Sequence, residues 1–267
     1  MHVKHHGIDP EEFRRPKYSQ CVFCGRSPTT KEDIIPKWMA KGVTALPGAR
    51  KRLLFSRGGE TVELHRGTAT HFNHPLKVVC SDCNNGWMST LQREAKPILV
   101  PLMNGGRCNL DEASQATLAA WSVMTTTMGS FGVRQRCSES FLTQLMQSSL
   151  PPDNCFVWLA HLEPPDFELG FFGLSWPADL DPADQRHGHL GRAHLDRLGI
   201  VVFLNPNPQL VDVALETQYR GMLTPIWPSP RGIAWELSVA ILPSPPTVVR
   251  AFVEGLVKDL STPQDQP

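Results

Sequence analysis

Two Cys-x-x-Cys pairs carry the clearest chemical signal in this sequence. Cys21 and Cys24 form the first pair, and Cys80 and Cys83 form the second. Four thiolates are the ligand set of a closed tetrahedral structural zinc site, and a spacing of two residues lets one tight turn direct both sulfurs at one ion. A glycine follows Cys24, and glycine suits such a turn. The sequence therefore predicts a structural Zn²⁺ held by these four cysteines, in preference to four unrelated free thiols.

The composition of the 267-residue chain is that of an ordinary globular protein, with 41% hydrophobic and 19% charged residues. This balance excludes an intrinsically disordered chain. No apolar run is long enough to span a bilayer, and the opening residues MHVKHH lack the apolar core of a signal peptide. We therefore expect a cytoplasmic protein without a membrane partner. Seven cysteines, an odd number, argue against a disulfide framework and favour metal binding in a reducing compartment.

The net charge of zero hides a division of charge along the chain. Residues 1–107 contain 17 Lys and Arg against 9 Asp and Glu, a net charge of +8, and the remaining 9 against 17 give residues 108–267 a net charge of −8. A basic, cysteine-paired segment beside an acidic one predicts that only the first approaches a polyanion such as DNA. The acidic segment is then available to bind a protein partner. The alternative is that surface charge merely drifts along the chain.

Short elements must position the cysteines and the polar residues between them. Pro36 pushes the residue before it into extended chain and suits the first turn of a helix that follows it. Two alternating runs flank Arg57-Gly58-Gly59-Glu60, which is typical of a β-hairpin. Asn84 or Asn85 can cap the helix after the second cysteine pair. The predicted elements are extended chain over 33–36, a helix over 37–41, hairpin strands over 52–56 and 61–65, a strand over 76–79, and a helix over 86–96 that Pro97 disturbs.

Beyond Gly105-Gly106 the pattern predicts a second domain, so that the chain divides into residues 1–105 and 106–267. The overall fold class is α+β in both parts. The Trp and Met residues of the first helix of this second domain are expected in the core rather than at a cofactor. No spacing in this part indicates catalysis. The predicted elements are helices over 112–128, 141–146 and 248–260, strands over 156–162, 167–175, 200–204 and 232–241, and a mobile loop over 178–197.

The order of the motifs resembles that of the HNH endonucleases, in which Cys-x-x-Cys precedes an acidic-His-Ile-x-Pro element and a second Cys-x-x-Cys followed by His or Asn. The corresponding segments here are KEDIIPKW at 31–38 and VVCSDCNNGWMSTLQREAK at 78–96. The element CNNGWM is similar to a bacterial branch of that family, and the resemblance covers about residues 19–100. It implies a zinc-bound ββα-metal module that hydrolyses DNA phosphodiester bonds with a divalent cation, followed by the α+β domain.

The resemblance also implies a role for particular residues. Glu32 matches the carboxylate that binds the catalytic cation, which is Mg²⁺ or another divalent ion. Asp33 stands at the position of the general-base His, and Asn84 stands at the final His or Asn ligand position. The cysteines Cys21, Cys24, Cys80 and Cys83 match the structural zinc ligands. The implied chemistry is phosphoryl transfer in which a cation stabilises the developing charge and a base activates water.

Two positions depart from the family pattern. An ordinary Asp has a pKa of about 3.9 against about 6.5 for His, so Asp33 is the weaker base and the better cation ligand. The site is then a two-carboxylate metal centre, a slow enzyme or an inactive one. Pro75 stands near the place of the family's middle Asn. A displaced base from His65, His71 or His74 is an alternative to plain solvated histidines at these positions.

Several residues keep two interpretations at this stage. Asn84 is a cation ligand, a helix cap or both, and Glu32 with Asp33 forms a ligand pair or an exposed acidic pair. The predicted DNA-facing residues, against a merely solvated charged hairpin, are Arg50, Lys51, Arg52, Arg57 and Arg66. The predicted function is an HNH-like metal-dependent endonuclease. The alternatives are a catalytically inactive, zinc-stabilised nucleic-acid-binding protein, or a zinc staple beside an acidic domain that binds a protein.

Overall fold

The protein is an α+β structure, as the sequence predicts. In the computed structural model, β-strands come before and after a central group of helices in the order of the chain. The described residues are 18–42, 51–57, 60–67, 75–106, 109–132, 137, 139–152, 155–175, 187–204, 223–228 and 235–236. Within them, no helix combines the length and the apolar character needed to cross a membrane. The predicted helix over 248–260 lies outside the described residues.

A small two-stranded sheet underlies the cysteine motifs. Strand β1 (Thr29–Asp33) pairs antiparallel with β4 (Pro75–Cys80), and a bulge interrupts the register between Thr30 and Glu32. Helix α1 (Lys37–Gly42) follows Pro36, which confirms the predicted short helix. Since β1 and β4 are separated by more than 40 residues in sequence, their pairing brings the two cysteine motifs to one end of the same sheet.

The chain passes from β4 into a long helical run. It comprises α2 (Ser81–Cys83), a π-helical turn (Asn84–Met88) with a kink at Gly86, and α3 (Ser89–Met103). The prediction that Pro97 ends this helix is wrong, because Pro97 and Pro101 both lie inside α3. A proline in a helix removes one backbone hydrogen bond. The side chains of the last turns, Leu99, Leu102 and Met103, are buried, and this burial of apolar surface offsets the lost hydrogen bonds.

The largest sheet among the described residues has five strands. Strands β2 (Lys51–Arg57) and β3 (Glu60–Gly67) form the predicted hairpin. Strand β2 pairs in parallel with β6 (Cys155–Ser175), whose other edge pairs antiparallel with β7 (His187–Leu204). Strand β8 (Thr224–Trp227) pairs with the first part of β6. The sheet thus takes strands from both sides of residue 105, and the division into two domains there stays a prediction.

Two predictions in the second half of the chain need correction. The segments 156–162 and 167–175 belong to one strand, β6, which continues through an irregular register between His161 and Asp166. The prediction of a mobile loop over 178–197 is wrong for residues 187–197, because these belong to β7 and pair with β6. Of the predicted strand over 232–241, β9 (Trp235–Glu236) is described, and it pairs with β5 (Asn109–Leu110). These strands were hard to predict from the sequence, because many of their side chains are polar and their pairing partners are distant in sequence.

Helix α4 (Glu112–Gly132) packs against β6 and β7 and forms the centre of the core. Its Trp121 is 1% exposed, which confirms the predicted core role. Gly129 allows the close approach of the sheet, since a Cβ atom there would overlap the ring of Phe171. The helix also contacts the cysteine segment, because the Tyr18 hydroxyl donates a 3.1 Å hydrogen bond to the Phe131 carbonyl. One continuous core therefore joins the cysteine segment to the main sheet.

A buried ion pair lies within the main sheet. The Arg192 guanidinium of β7 donates a hydrogen bond to the Glu168 carboxylate of β6, and both side chains are at most 3% exposed. His194 is the partner of Glu168 in the strand register and is also buried. Charges at this depth are costly unless they are paired, so the two side chains depend on each other.

Candidate functional site

The four predicted ligand cysteines converge on one point. Their Sγ atoms all lie within 4.8 Å of one another, and those of Cys24 and Cys80 are 3.5 Å apart. A tetrahedral ion with zinc–sulfur bonds of about 2.3 Å requires sulfur–sulfur distances of about 3.8 Å. All four are free thiols, and Cys24 is the most exposed of them. The cluster can therefore hold a metal ion such as zinc.

The first cysteine pair sits in a tight turn held by backbone hydrogen bonds. The Cys21 N–H donates to the Arg26 carbonyl, and the Gly25 N–H donates to the Cys21 carbonyl, both at 2.8 Å. Gly25 has φ +71°, a left-handed conformation that side chains rarely adopt. A Cβ atom at this position would meet no atom within 4 Å. Backbone conformation, rather than lack of space, therefore requires glycine here.

The second cysteine pair stands where β4 ends and the helical run begins. Cys80 is the last residue of β4 and lies opposite Thr29 in the register, while Cys83 is the last residue of α2. The two turns also contact each other through side chains. The rings of Phe23 and Trp87 meet edge to face with centroids 5.0 Å apart, so Trp87 packs against the first cysteine turn. The sheet and this aromatic pair hold the two cysteine turns against each other.

The thiols differ in their proton affinity. Burial raises the pKa of Cys21 and, together with hydrogen bonds from neighbouring thiols, that of Cys83. Burial acts to raise the pKa of Cys24 as well, but hydrogen bonds with Arg26 outweigh it and bring that pKa to about 6. At neutral pH Cys24 is therefore a thiolate without a metal, while a metal must displace protons from Cys21 and Cys83.

Glu32 and Asn84, which are 52 residues apart, form a direct hydrogen bond. The Asn84 Nδ2 donates to the Glu32 Oε2 at 2.6 Å. Glu32 is placed by β1, where it lies opposite Leu76 in the register, and Asn84 is placed by the start of the π-helical turn directly after Cys83. Both side chains are partly buried. The structure thus brings together two of the residues that the sequence singles out as a candidate site.

The interpretation of Asn84 as a helix cap is wrong. The helical run begins at Ser81, so Asn84 already has helical φ and ψ, and its side chain reaches across to Glu32 instead of capping a backbone N–H. The cap residue of α2 is Cys80, whose side chain makes no capping hydrogen bond. Asn84 therefore does not cap the start of the helical run, and its side chain contacts Glu32 instead.

Asp33 lies beside Glu32 at the end of β1. It is partly buried and stands opposite Pro75, the residue near the expected position of the family's middle Asn. Burial raises the pKa of Asp33 and of Glu32, and the charge of Asp33 adds to the rise at Glu32. The charge of Lys37 lowers both pKa values, and the Asn84 hydrogen bond lowers that of Glu32. Two neighbouring, half-buried carboxyl groups are an environment that a cation would stabilise.

The donor set around Glu32 suits a hard divalent cation. Carboxylate and amide oxygens are the ligands that Mg²⁺ and similar ions prefer. A half-turn of the Asn84 amide would present Oδ1 in place of the Nδ2 that now bonds Glu32. Within the part of the chain that the structure describes, the four cysteines are the one group of three or more His, Cys, Asp or Glu residues with converging ligand atoms. The carboxylate site offers fewer protein ligands than the cysteine cluster. Sites in which the cation keeps several water ligands also have few protein ligands.

Four of the five basic residues predicted to face DNA lie in the main sheet. Lys51, Arg52 and Arg57 belong to β2 and Arg66 to β3, with Arg52 directly opposite Arg66. Arg50 lies outside the described residues. The DNA-facing role of this hairpin stays a prediction.

Of the histidines proposed as a displaced base, the structure describes the backbone of His65. His65 lies in β3, opposite Leu53 in the main sheet, whereas Glu32 belongs to the two-stranded sheet. His71 and His74 lie outside the described residues.

Sequence reasoning missed two residues that act on these sites. Arg26 hydrogen-bonds Cys24 and forms a 2.9 Å ion pair with Asp82, so that it links the two cysteine turns at the surface. Lys37 acts electrostatically on Glu32 and Asp33. The sequence signals for these two residues are weak. Arg26 lies two residues after a ligand cysteine, and Lys37 lies four residues after Asp33.

Comparison of the chain with protein-family models, with curated proteins and with solved structures finds no match. The resemblance to the HNH endonucleases therefore rests on the motifs, and membership of that family stays a prediction.

Proposed function

We propose that this chain is an HNH-like, metal-dependent endonuclease that hydrolyses DNA phosphodiester bonds. The observation that carries the proposal is the 2.6 Å hydrogen bond between Asn84 and Glu32. In the family that the motifs resemble, these two positions hold the catalytic cation. The order of the surrounding elements, an antiparallel strand pair followed directly by a helix, supports a ββα-metal module.

The four cysteines would hold a structural Zn²⁺ in this proposal. Their role is to fix the start of the helical run against the strand that precedes it. Asn84 directly follows Cys83, and Glu32 lies on the strand that pairs with the one ending at Cys80. A zinc ion bound by these thiolates would hold these two elements together and so help to set the distance between Asn84 and Glu32, without taking part in the reaction.

Glu32 and Asn84 would hold the catalytic divalent cation, which would stabilise the charge that develops on the phosphate. Asp33 has two possible roles beside it, as a further ligand or as the acceptor of the proton from the attacking water. Burial raises the pKa of Asp33, which makes it a stronger base than an ordinary aspartate. Proton acceptance requires Asp33 to be ionised, a state that the charge of Lys37 favours.

The test is cleavage of supercoiled plasmid DNA by the purified chain in Mg²⁺, Mn²⁺ or Ni²⁺. We expect nicked and linear products, and a loss of roughly 100-fold or more in the variants Glu32→Gln and Asn84→Ala. The matched controls are Glu94→Gln on α3 and Asn85→Ala, whose side chains are exposed. The proposal is wrong if wild type leaves the plasmid intact, or if Glu32→Gln cuts as fast as Glu94→Gln.

Asp33→His tests how the site generates its nucleophile. If Asp33 stands in for the base, histidine at this position should raise the cleavage rate by a factor on the order of 10². If Asp33 is a cation ligand, the same change should lower the rate, and Asp33→Glu should retain more activity than Asp33→Asn.

The second candidate function is a catalytically inactive, zinc-stabilised nucleic-acid-binding protein. The observation that favours it is the aspartate at the general-base position. It predicts DNA binding whose affinity falls steeply with salt, without strand cleavage in any divalent cation. A measurable cleavage rate that disappears in Asp33→Ala would contradict it.

A further inference from the structure

A cavity of about 590 Å³ lies beside the first cysteine turn. Its walls are residues 18–25, the end of α4 at Phe131, and helix α5 (Glu139–Ser148). Several lining residues, among them Ser19 and Gly25, are exposed, so the cavity communicates with solvent. Its volume lies within the range of about 300–1,000 Å³ that is usual for small-molecule pockets. A small solute can therefore enter between α5 and the cysteine turn.

The cavity reaches one of the two cysteine pairs. Cys21 and Cys24 line it, whereas Cys80 and Cys83 are not among its lining residues. Cys24 is also the most exposed of the four, since the other three are buried. A reagent dissolved in water must reach a sulfur before it can react with it. Cys24 is therefore the thiol of the cluster that a solute in the cavity meets first.

A second thiol stands next to Cys24 inside the cluster. The Sγ atoms of Cys24 and Cys80 are 3.5 Å apart, so a disulfide bond of about 2.05 Å requires an approach of about 1.5 Å. The first turn is also tied to β4, because the Val22 N–H donates a 2.9 Å hydrogen bond to the Val78 carbonyl, two residues before Cys80. The pair that the cavity exposes on one side thus has a resolving thiol on the other.

We propose that the cysteine cluster is an oxidation-sensitive metal centre. A peroxide that enters the cavity converts Cys24 and Cys80 to a disulfide, and the cluster then loses its zinc ion. This inference rests on zinc binding by the four thiols and goes beyond the proposed endonuclease function.

The reaction has two steps. The Cys24 thiolate attacks one oxygen of hydrogen peroxide, the O–O bond breaks, and the departing hydroxide takes a proton to become water, which leaves a sulfenic acid on Cys24. The Cys80 thiolate then attacks the sulfenic sulfur, the S–S bond forms, and the second hydroxide leaves as water after protonation. The two sulfurs lose two electrons and the peroxide gains them. Cys21 and Cys83 remain as ligands, which is too few for a closed four-thiolate site.

Loss of the ion would also act on the carboxylate site. Asn84 directly follows Cys83, and its side chain bonds Glu32. Once Cys83 no longer binds an ion, the start of the helical run is held less firmly against β1. In the proposed endonuclease, oxidation should therefore lower DNA cleavage, and reduction in the presence of zinc should restore it. This consequence alone depends on the endonuclease function.

The test treats the zinc-loaded full-length protein with hydrogen peroxide in the presence of a metallochromic zinc indicator. The cysteines are then mapped by differential alkylation and mass spectrometry. We expect release of one zinc ion per chain together with a disulfide between Cys24 and Cys80. Dithiothreitol and added zinc should restore the metal content, because a disulfide is reversible whereas sulfinic and sulfonic acids are not restored by thiols.

Matched variants test the role of the cavity. Met146 lines the cavity from α5, so Met146→Trp should narrow it and slow the release of zinc. Gln144→Trp places the same side chain on an exposed position of α5 outside the lining and should match wild type. Cys137 lines the cavity without belonging to the cluster, so Cys137→Ser should release zinc at the wild-type rate.

Retention of zinc under peroxide overturns the inference, as does a disulfide that omits Cys24 or Cys80. Equal release rates in Met146→Trp and Gln144→Trp refute the cavity as the route. The disulfide map of the wild type decides the chemistry even if a tryptophan variant fails to fold. None of these measurements uses DNA. A chain that leaves plasmid intact but releases zinc in this way therefore loses the endonuclease function and keeps the oxidation-sensitive centre, and the converse result does the opposite.

Discussion

Gly25 provides a test of how backbone conformation supports the metal centre. A left-handed conformation costs an L-residue about 1–2 kcal/mol. Replacing glycine also lowers the conformational entropy of the unfolded chain, which favours folding by about 0.4–1 kcal/mol. Because a Cβ atom at Gly25 would meet nothing within 4 Å, no steric cost is added. Gly25→Ala should therefore lower the free energy of unfolding of the zinc-loaded protein by about 1 kcal/mol, a factor of about five in the folded-to-unfolded ratio.

The measurement is urea unfolding at a fixed concentration of free zinc. With a slope of about 2–3 kcal/mol per molar urea, the expected loss shifts the midpoint by about 0.3–0.5 M. Gly25→Asn is the matched variant, because asparagine also adds a side chain in this open space but adopts the left-handed conformation more readily. Backbone strain predicts a smaller loss for Asn than for Ala. A larger loss for Asn, or an unchanged midpoint for Ala, would refute the reasoning.

Three further predictions concern the metal centre and the core. Cys83→Ser should abolish the binding of one zinc ion per chain, measured by atomic absorption, while Cys137→Ser, outside the cluster, should retain it. Because the raised pKa values of Cys21 and Cys83 keep both thiols protonated at pH 7, zinc binding should release at least two protons. Zinc affinity should then fall about 100-fold as the pH drops by one unit, and an unchanged affinity in competition with a chelator would contradict this. Glu168→Leu should lower the free energy of unfolding by about 3–5 kcal/mol, because it removes the carboxylate that pairs with the buried Arg192 guanidinium, and adding Arg192→Met should recover part of the loss.

The local elements of the cysteine segment were predictable from the sequence because neighbouring residues determine them. The glycine pair between alternating runs indicated the β2–β3 hairpin, and Pro36 indicated the start of α1. The same local logic failed at Pro97. Burial of Leu99 and Met103 against the rest of the core decides the end of α3, and a proline rule does not include that burial.

The long strands were less predictable because their stability comes from distant partners. His187, His189 and Arg192 have a polar sequence pattern that is typical of a loop. They belong to β7 because β6 pairs with that strand almost along its whole length, from the Cys155–Leu204 pair to the Ser175–His187 pair. Strand propensity depends strongly on such cross-strand context, which a local window does not contain.

The sequence by itself determined the chemistry that the chain can offer: four thiols in two matched pairs, an acidic pair before Pro36, and an asparagine directly after Cys83. Only the tertiary structure decided how these groups meet. Pairing of β1 with β4 gathers the thiols at one point and turns Asn84 from a possible helix cap into the partner of Glu32. The physical reason is that residue type and spacing encode ligand chemistry locally. The distance between two side chains that are 52 residues apart depends instead on strand pairing and on packing of the whole core.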